Sequence, residues 1–373
     1  MRKRVLLTIA LLSFIISSSF SQELIRQSEK KQDSFRVIAF CMSDGGEIEK
    51  YEIDKLTHLI FCFTNLQGNK ISFKNSEDED RLKRFIALKA KYPKLKVLVS
   101  FGGWGGCETC SDVFASGSGR KEFAASVNEL LKKYNADGID IDWESPVIGS
   151  SSNHKASKDD KENFTLLIKE LRDTLPAKSE ICFDATSDKA YIDLSIDWQK
   201  VVPLVDYVNL MTYGLLPHAK VQTGHHAALY SSPLQQESAD IAIRKLDSIG
   251  VPINKIIIGA GFFSEVSENV DSVNNGLGRP GTFKTYVNYN KLFETFKENE
   301  GYEYHWDSIA QAPFFYNKRL KTFVTFDDKK SVSLKTKYAI DKKLGGIMFW
   351  QLRQDTFKDG LLDAIDKQIK TNK

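Results

Sequence analysis

Eight short apolar runs constrain this chain more than any other feature. They are Arg36–Cys41, His58–Phe63, Lys96–Gly103, Gly138–Glu144, Ile181–Thr186, Tyr207–Tyr213, Lys255–Phe263 and Gly345–Leu352. Each has strand length and is rich in Val, Ile and Phe. Amphipathic stretches lie between most of them. Arg81–Tyr92 groups Leu82, Phe85, Ile86 and Leu88, and Arg120–Tyr134 groups Phe123, Val127, Leu130 and Leu131. Ala239–Ile249 and Ser333–Leu344 keep the same helical spacing. A strand that is apolar throughout has no polar face to leave in water, so its sheet must be covered on both sides. Eight such strands alternating with helices predict an α/β fold, a TIM-type (β/α)8 barrel.

The eighth run arrives late. Between Phe263 and Gly345 lie Gly-rich turns, a helix-like Lys291–Lys297, and extended runs at Tyr302–Trp306, Pro313–Tyr316 and Leu320–Phe326. They predict a small α+β insertion between strands seven and eight, at about residues 265–335. The tail from Asp363 to Lys373 reads as a charged helix end.

Composition excludes several classes. Hydrophobic residues make up 42% and charged residues 27%, which is globular rather than disordered or fibrous. Lys plus Arg is 52 and Asp plus Glu is 49, and the whole +3 excess equals Arg2, Lys3 and Arg4. Without those three the chain is neutral, and no nucleic-acid partner is expected.

Those basic residues open an export signal. Val5 to Ile16 is an apolar run too short for a comfortable membrane span. Ser19 and Ser21 are small residues placed for cleavage before Gln22. Residues 1–21 are therefore expected to be a signal peptide and 22–373 the mature protein, secreted or periplasmic, free of the membrane and monomeric.

Five cysteines leave at least one unpaired within the chain. Cys41, Cys62 and Cys182 sit in apolar runs, as small buried thiols do. Cys107 and Cys110 lie in a Gly-rich loop. Export favours a local disulfide between them, with zinc as the alternative.

Chemistry concentrates in Asp137-Gly138-Ile139-Asp140-Ile141-Asp142-Trp143-Glu144. In a strand, Asp140, Asp142 and Glu144 point one way and Ile139, Ile141 and Trp143 the other. Burial and like charge both disfavour full ionisation of three stacked carboxylates, so protons should be shared among them. Glu144, at the C-terminal end of the strand, would stand at the mouth of the barrel and is the natural proton donor. A calcium loop would carry polar turn residues and a Gly where Ile and Trp stand here. A divalent-metal carboxylate site stays open on spacing alone.

This segment resembles the D-G-x-D-x-D-x-E signature of glycoside hydrolase family 18, the chitinases and their relatives. Further resemblances follow in chain order. They are Ser100-Phe101-Gly102-Gly103-Trp104 on strand three, Met211-Thr212-Tyr213 on strand six, and Thr223 to Tyr230 in the loop beyond. Trp306-Asp307 and Phe326-Asp327-Asp328 resemble parts of the family's insertion, and Gly345 to Trp350 its eighth strand. The likeness covers roughly residues 36 to 355.

The resemblance implies roles by position. Glu144 would be the general acid. Asp142 would turn between Asp140 and the acetamido group of the sugar, whose own oxygen acts as nucleophile with retention. Tyr213 would donate its hydroxyl to that oxygen. Trp350 would floor the site and Met211 would pack beneath it. Gly102, Gly103, Trp104, Gly105 and Ser145 would line the mouth. The implied partner is chitin or an N-acetylglucosamine oligosaccharide, with no cofactor and no metal. The sequence departs from the family pattern at Gly214, often Asp, at Ser145, often Tyr, and at Phe40, where a first-strand Tyr is usual. All three remain candidate sugar contacts.

His218, His225 and His226 fit no usual metal spacing. Asn163-Phe164-Thr165 is a glycosylation sequon. The reading is a secreted endo-acting chitinase. An endo-β-N-acetylglucosaminidase acting on N-glycans and a non-catalytic chitin-binding lectin are the alternatives.

Overall fold

The computed structural model describes residues 35–42, 46–149, 155–216 and 222–372. The proposed signal segment and His218 lie outside them. Eight parallel strands close on themselves: β1 (Arg36–Cys41), β2 (His58–Gln67), β4 (Lys96–Gly102), β5 (Gly138–Asp142), β6 (Glu180–Thr186), β7 (Tyr207–Met211), β8 (Ile256–Gly261) and β14 (Gly346–Trp350). The pairing of β1 with both β14 and β2 completes the ring. A short β3 (Lys70–Ser72) folds back on β2 as a hairpin. All eight apolar runs are barrel strands, with ends that coincide or differ by one or two residues except for the end of β2, which runs four residues further.

Period two sorts each strand between two cores. On β6, Ile181, Phe183 and Ala185 face the helices, while Cys182 joins the interior with Phe40, Ile60, Leu98, Tyr207 and Met348. That is why these strands read as uninterrupted apolar runs: both faces are dry. The helices form where caps and periodicity agree. Asn75 caps Ser76–Ala87 by accepting the Asp78 N–H at 2.9 Å, with Glu77, Asp78 and Glu79 in the first turn beside the positive end of the helix. Gly117–Tyr134 ends on Asn135 in the left-handed region, φ +56°.

Between β8 and β14 the chain builds a five-stranded antiparallel sheet. Its strands are β9 (Phe263–Glu268), β10 (Thr282–Asn288), β11 (Glu303–Asp307), β12 (Ala312–Asn317) and β13 (Thr322–Phe326), in the order β10-β9-β13-β12-β11. The sheet runs from 263 to 326. Lys329–Asp341, part of which lies in the expected range 265–335, is a barrel helix that packs on β8 and β14 and buries Val332, Tyr338 and Ala339. β9 and β10 escaped the sequence reading because β10 is exposed and polar on most of its length.

One buried ion pair joins sheet to barrel. Asp327, just after β13, accepts from the Lys335 ammonium at 2.5 Å, from Ser331 Oγ at 2.6 Å and from the Gly261 N–H at 3.1 Å. Both ionic side chains are fully buried. Among the described residues no helix is long and apolar enough to cross a membrane.

Candidate active site

The interior face of β5 carries the acids as the alternation requires. Strand pairing ends at Asp142, and Glu144 stands just beyond, at the C-terminal mouth. Trp143 points outward and is buried between Phe114 and Phe164. That anchor fixes the direction of the residues on either side.

Asp140 lies at the bottom, fully buried, among donors. Ser100 Oγ donates to Oδ2 at 2.7 Å, and Cys182 Sγ and Asn209 Nδ2 donate to Oδ1 at 3.1 and 3.2 Å. Burial raises its pKa, and these donors pull it partly back. Asp142 has less help. Burial, then the charges of Glu144 and Asp140, push its pKa well above the carboxylate range. Its Oδ1 is buried without a hydrogen-bond partner among the described residues. Burial lifts Glu144 to about 7, so it holds its proton near neutrality. The three carboxyls are thus stacked on one face, and Asp140 is the one best supplied with donors.

A fourth carboxyl, Asp184 on β6, belongs to the same cluster and was not singled out from the sequence. It is 4% exposed and in hydrogen-bonding contact with Asp140 and Asp142. The signal was present: an Asp at the even positions of an apolar strand, in step with Cys182, must face the barrel interior. Asn209, also missed, follows from the same parity on β7.

Tyr213 follows β7 at the rim, its hydroxyl 3.9 Å from Met348 Sδ. Burial, then the charges of Asp184, Asp142 and Glu144, raise its pKa well above 10, so it stays a donor. Trp350 ends β14. Its ring stacks on Phe63 at 5.6 Å and meets Phe40 at 6.1 Å. Met211 packs against the interior cluster below.

The glycines act through close approach. The Gly103 N–H donates to the Asp142 carbonyl at 2.8 Å, and a Cβ on Gly102 would come within 2.3 Å of that same oxygen. A Cβ on Gly103 would lie 2.6 Å from the Phe63 ring. These two positions let β4 seat the catalytic strand and the aromatic floor. Trp104 is 72% exposed and, with Gly105, projects beyond the mouth, free to stack on a sugar.

Two expected contacts change role. Phe40 is 1% exposed beneath Trp350, so it supports the floor and does not touch sugar. Ser145 is buried beside Glu144, and its carbonyl accepts the Gly149 N–H, so it shapes the turn. Gly214 is exposed at φ +61°, with nothing within 4 Å of a built Cβ, and brings no side chain to the rim.

The remaining candidates resolve simply. Cys107 and Cys110 form a disulfide, and Cys41, Cys62 and Cys182 are buried thiols. His225 contacts Asp307 at 3.0 Å, and His226 packs on Phe263. Among the described residues, no group of three or more His, Cys, Asp or Glu is arranged to hold a metal ion. Asn163 is buried within the helix Asp160–Thr174, a poor glycan acceptor.

A closed barrel with a protonated carboxyl at its mouth, an aromatic floor and a buried acid relay defines a glycoside hydrolase. The sequence profile of glycosyl hydrolases family 18 matches residues 27–355, and the chain belongs to that family. It is 32% identical to chitinase A1 of Niallia circulans over 295 residues, 73% of this chain and 42% of that relative. It is 28% identical to mouse chitotriosidase-1, over 81% of this chain and 68% of that relative. The chain thus spans less than half the length of the Niallia circulans relative. Among solved structures, a family 18 N-acetylglucosaminidase from Paenibacillus barengoltzii superposes with a TM-score of 0.81 at 31% identity, covering 90% of this chain and all of that one.

Proposed function

We propose that this protein is an exported chitinase that cleaves β-1,4-linked N-acetylglucosamine chains internally, by substrate-assisted catalysis with retention. The observation that carries the reading is the stack of Asp140, Asp142 and Glu144 on the interior face of β5, leading to the mouth of the barrel. Glu144, with its pKa near 7, protonates the glycosidic oxygen as the bond breaks. Burial and its acidic neighbours disfavour an ionised Asp142, which makes it a poor nucleophile. The attacking oxygen then comes from the substrate's acetamido group. Asp142 steadies the amide N–H side of the developing oxazolinium ion, and the Tyr213 hydroxyl donates to its oxygen. Water attacks the anomeric carbon from the face the leaving group left, displacing the acetamido oxygen, with Glu144, now ionised, taking its proton.

The five-stranded sheet inserted before the last barrel strand supports a polymer substrate, since a wall beside the mouth makes a groove from a pocket. The relatives named as chitinase and chitotriosidase support the same sugar. A second reading, release of single sugars from chain ends, is favoured by the Paenibacillus barengoltzii structure described as an N-acetylglucosaminidase. Export rests on the basic start, the apolar run and the small residues before Gln22.

The test is product analysis of N-acetylglucosamine hexamer and of a high-mannose glycopeptide, with the wild type and Glu144→Gln. Dimers and longer products from the hexamer, an intact glycopeptide and a ~10²–10⁴-fold slower variant are expected. Monomers alone would establish the exo reading. Glycopeptide cleavage, or an unimpaired variant, would reject the assignment.

A further inference from the structure

The relay contains one more acid than the mechanism above has used. Asp184 projects from β6 into the interior between the β5 acids and β7. On β5 it meets Asp140 and Asp142, with Glu144 above them; Asn209 and Tyr213 face it from β7 and its rim. Tyr191, from the helix Lys189–Leu194, donates to its backbone carbonyl at 3.4 Å. Cys182 on its own strand and Cys62 across the barrel are neutral thiols, held so by burial. The charges acting on Asp184 are those of Asp140 and Asp142.

Hydrogen-bond accounting assigns the protons. Both oxygens of Asp140 already accept, from Ser100, Cys182 and Asn209, which suits an anion. Asp142 and Asp184 each keep an Oδ1 that is buried with no hydrogen-bond partner among the described residues. Three carboxyls in contact cannot all be ionised in a dry interior. The charge rests on Asp140, and protons sit on the other two.

We propose that Asp184 is a positioning residue for Asp142: it holds a second proton in the relay and keeps Asp140 hydrogen-bonded, and so leaves Asp142 free to turn to the substrate and accept from its amide N–H. This rests on the assignment of Asp142 to the acetamido group made above. With Asp184 absent, the single proton left between Asp140 and Asp142 would be bound in their mutual contact. Asp142 could engage the substrate only by leaving Asp140 without it.

The experiment compares wild type, Asp184→Asn and Asp184→Ala on N-acetylglucosamine oligomers across roughly pH 4 to 9, with thermal melts as a check on folding. Asp184→Ala is expected to lower kcat by ~10–100-fold with KM little changed, because a misplaced reacting group costs about that much. Asp184→Asn retains a donor to Asp140 and should recover most of kcat at the optimum. The alkaline limb is set by Glu144, so it should stay near pH 7 in both variants. No loss of kcat in Asp184→Ala, an equal loss in both variants, or a loss carried by KM alone would overturn the proposal. If Asp184→Ala does not fold, Asp184→Asn decides alone, and a loss of kcat beyond about tenfold would overturn it. A parent protein inactive on every oligomer would instead overturn the assignment of function, and this inference with it.

Discussion

The ring of Phe63 lies 5.6 Å from that of Trp350 with 18° between their planes, so the floor of the site is a two-layer aromatic stack rather than a single indole. Phe40 braces the same indole from below at 6.1 Å. Gly103 completes the arrangement, because any side chain there would collide with Phe63. Three residues from β1, β2 and the end of β4 thereby hold one ring of β14 in place.

Removing the second layer should loosen the first. Phe63→Ala is expected to raise KM for N-acetylglucosamine oligomers by about 2- to 12-fold. An aromatic pair is worth ~0.5–1.5 kcal/mol beyond its buried area, and 1.4 kcal/mol is tenfold. Steady-state kinetics check this, with Trp fluorescence reporting the floor. An unchanged KM would mean that Trp350 is held without Phe63.

The alkaline side of the pH profile follows from Glu144. The raised pKa means the acid form, the one that can donate, persists up to about 7 and is lost above it. The limb of kcat/KM should therefore turn near pH 7 and fall about tenfold per unit beyond. Activity rising steadily through pH 8 would show that another group supplies the proton.

The ion pair beneath the insertion is a stability element. Lys335→Met leaves the Asp327 carboxylate buried without its cation, and losing one partner of a buried pair typically costs ~3–5 kcal/mol. The Gly261 N–H and Ser331 bonds to the same carboxylate would loosen with it. Urea unfolding measures the change, and a loss below about 1 kcal/mol would contradict the account.

The barrel was legible because its strands are dry on both faces, and eight such runs with helices between them fit a parallel α/β sheet. The β5 acids were legible for the same reason turned round, since polar residues at strict period two in a dry strand must share one face. What failed to show was cross-strand. Asp184 and Asn209 stand alone in their own strands, and only the pairing of β6 with β5 and β7 brings them to Asp140. Phe63 lies at the end of an apolar run and reads as core until Trp350 is placed over it. Family position makes Phe40 and Ser145 candidate sugar contacts, whereas burial turns one into a brace and the other into part of a turn. In the insertion, β9 and β10 carry too many polar residues to announce a strand.

The central claim is that the substrate supplies its own nucleophile, because burial and the neighbouring acids disfavour an ionised Asp142 beside Glu144. The most direct measurement is the hydrolysis rate of N-acetylglucosamine hexamer against the fully deacetylated glucosamine hexamer of equal length. The account predicts rapid cleavage of the first and almost none of the second. Cleavage of both at comparable rates would show that no acetamido group is needed, and would contradict it.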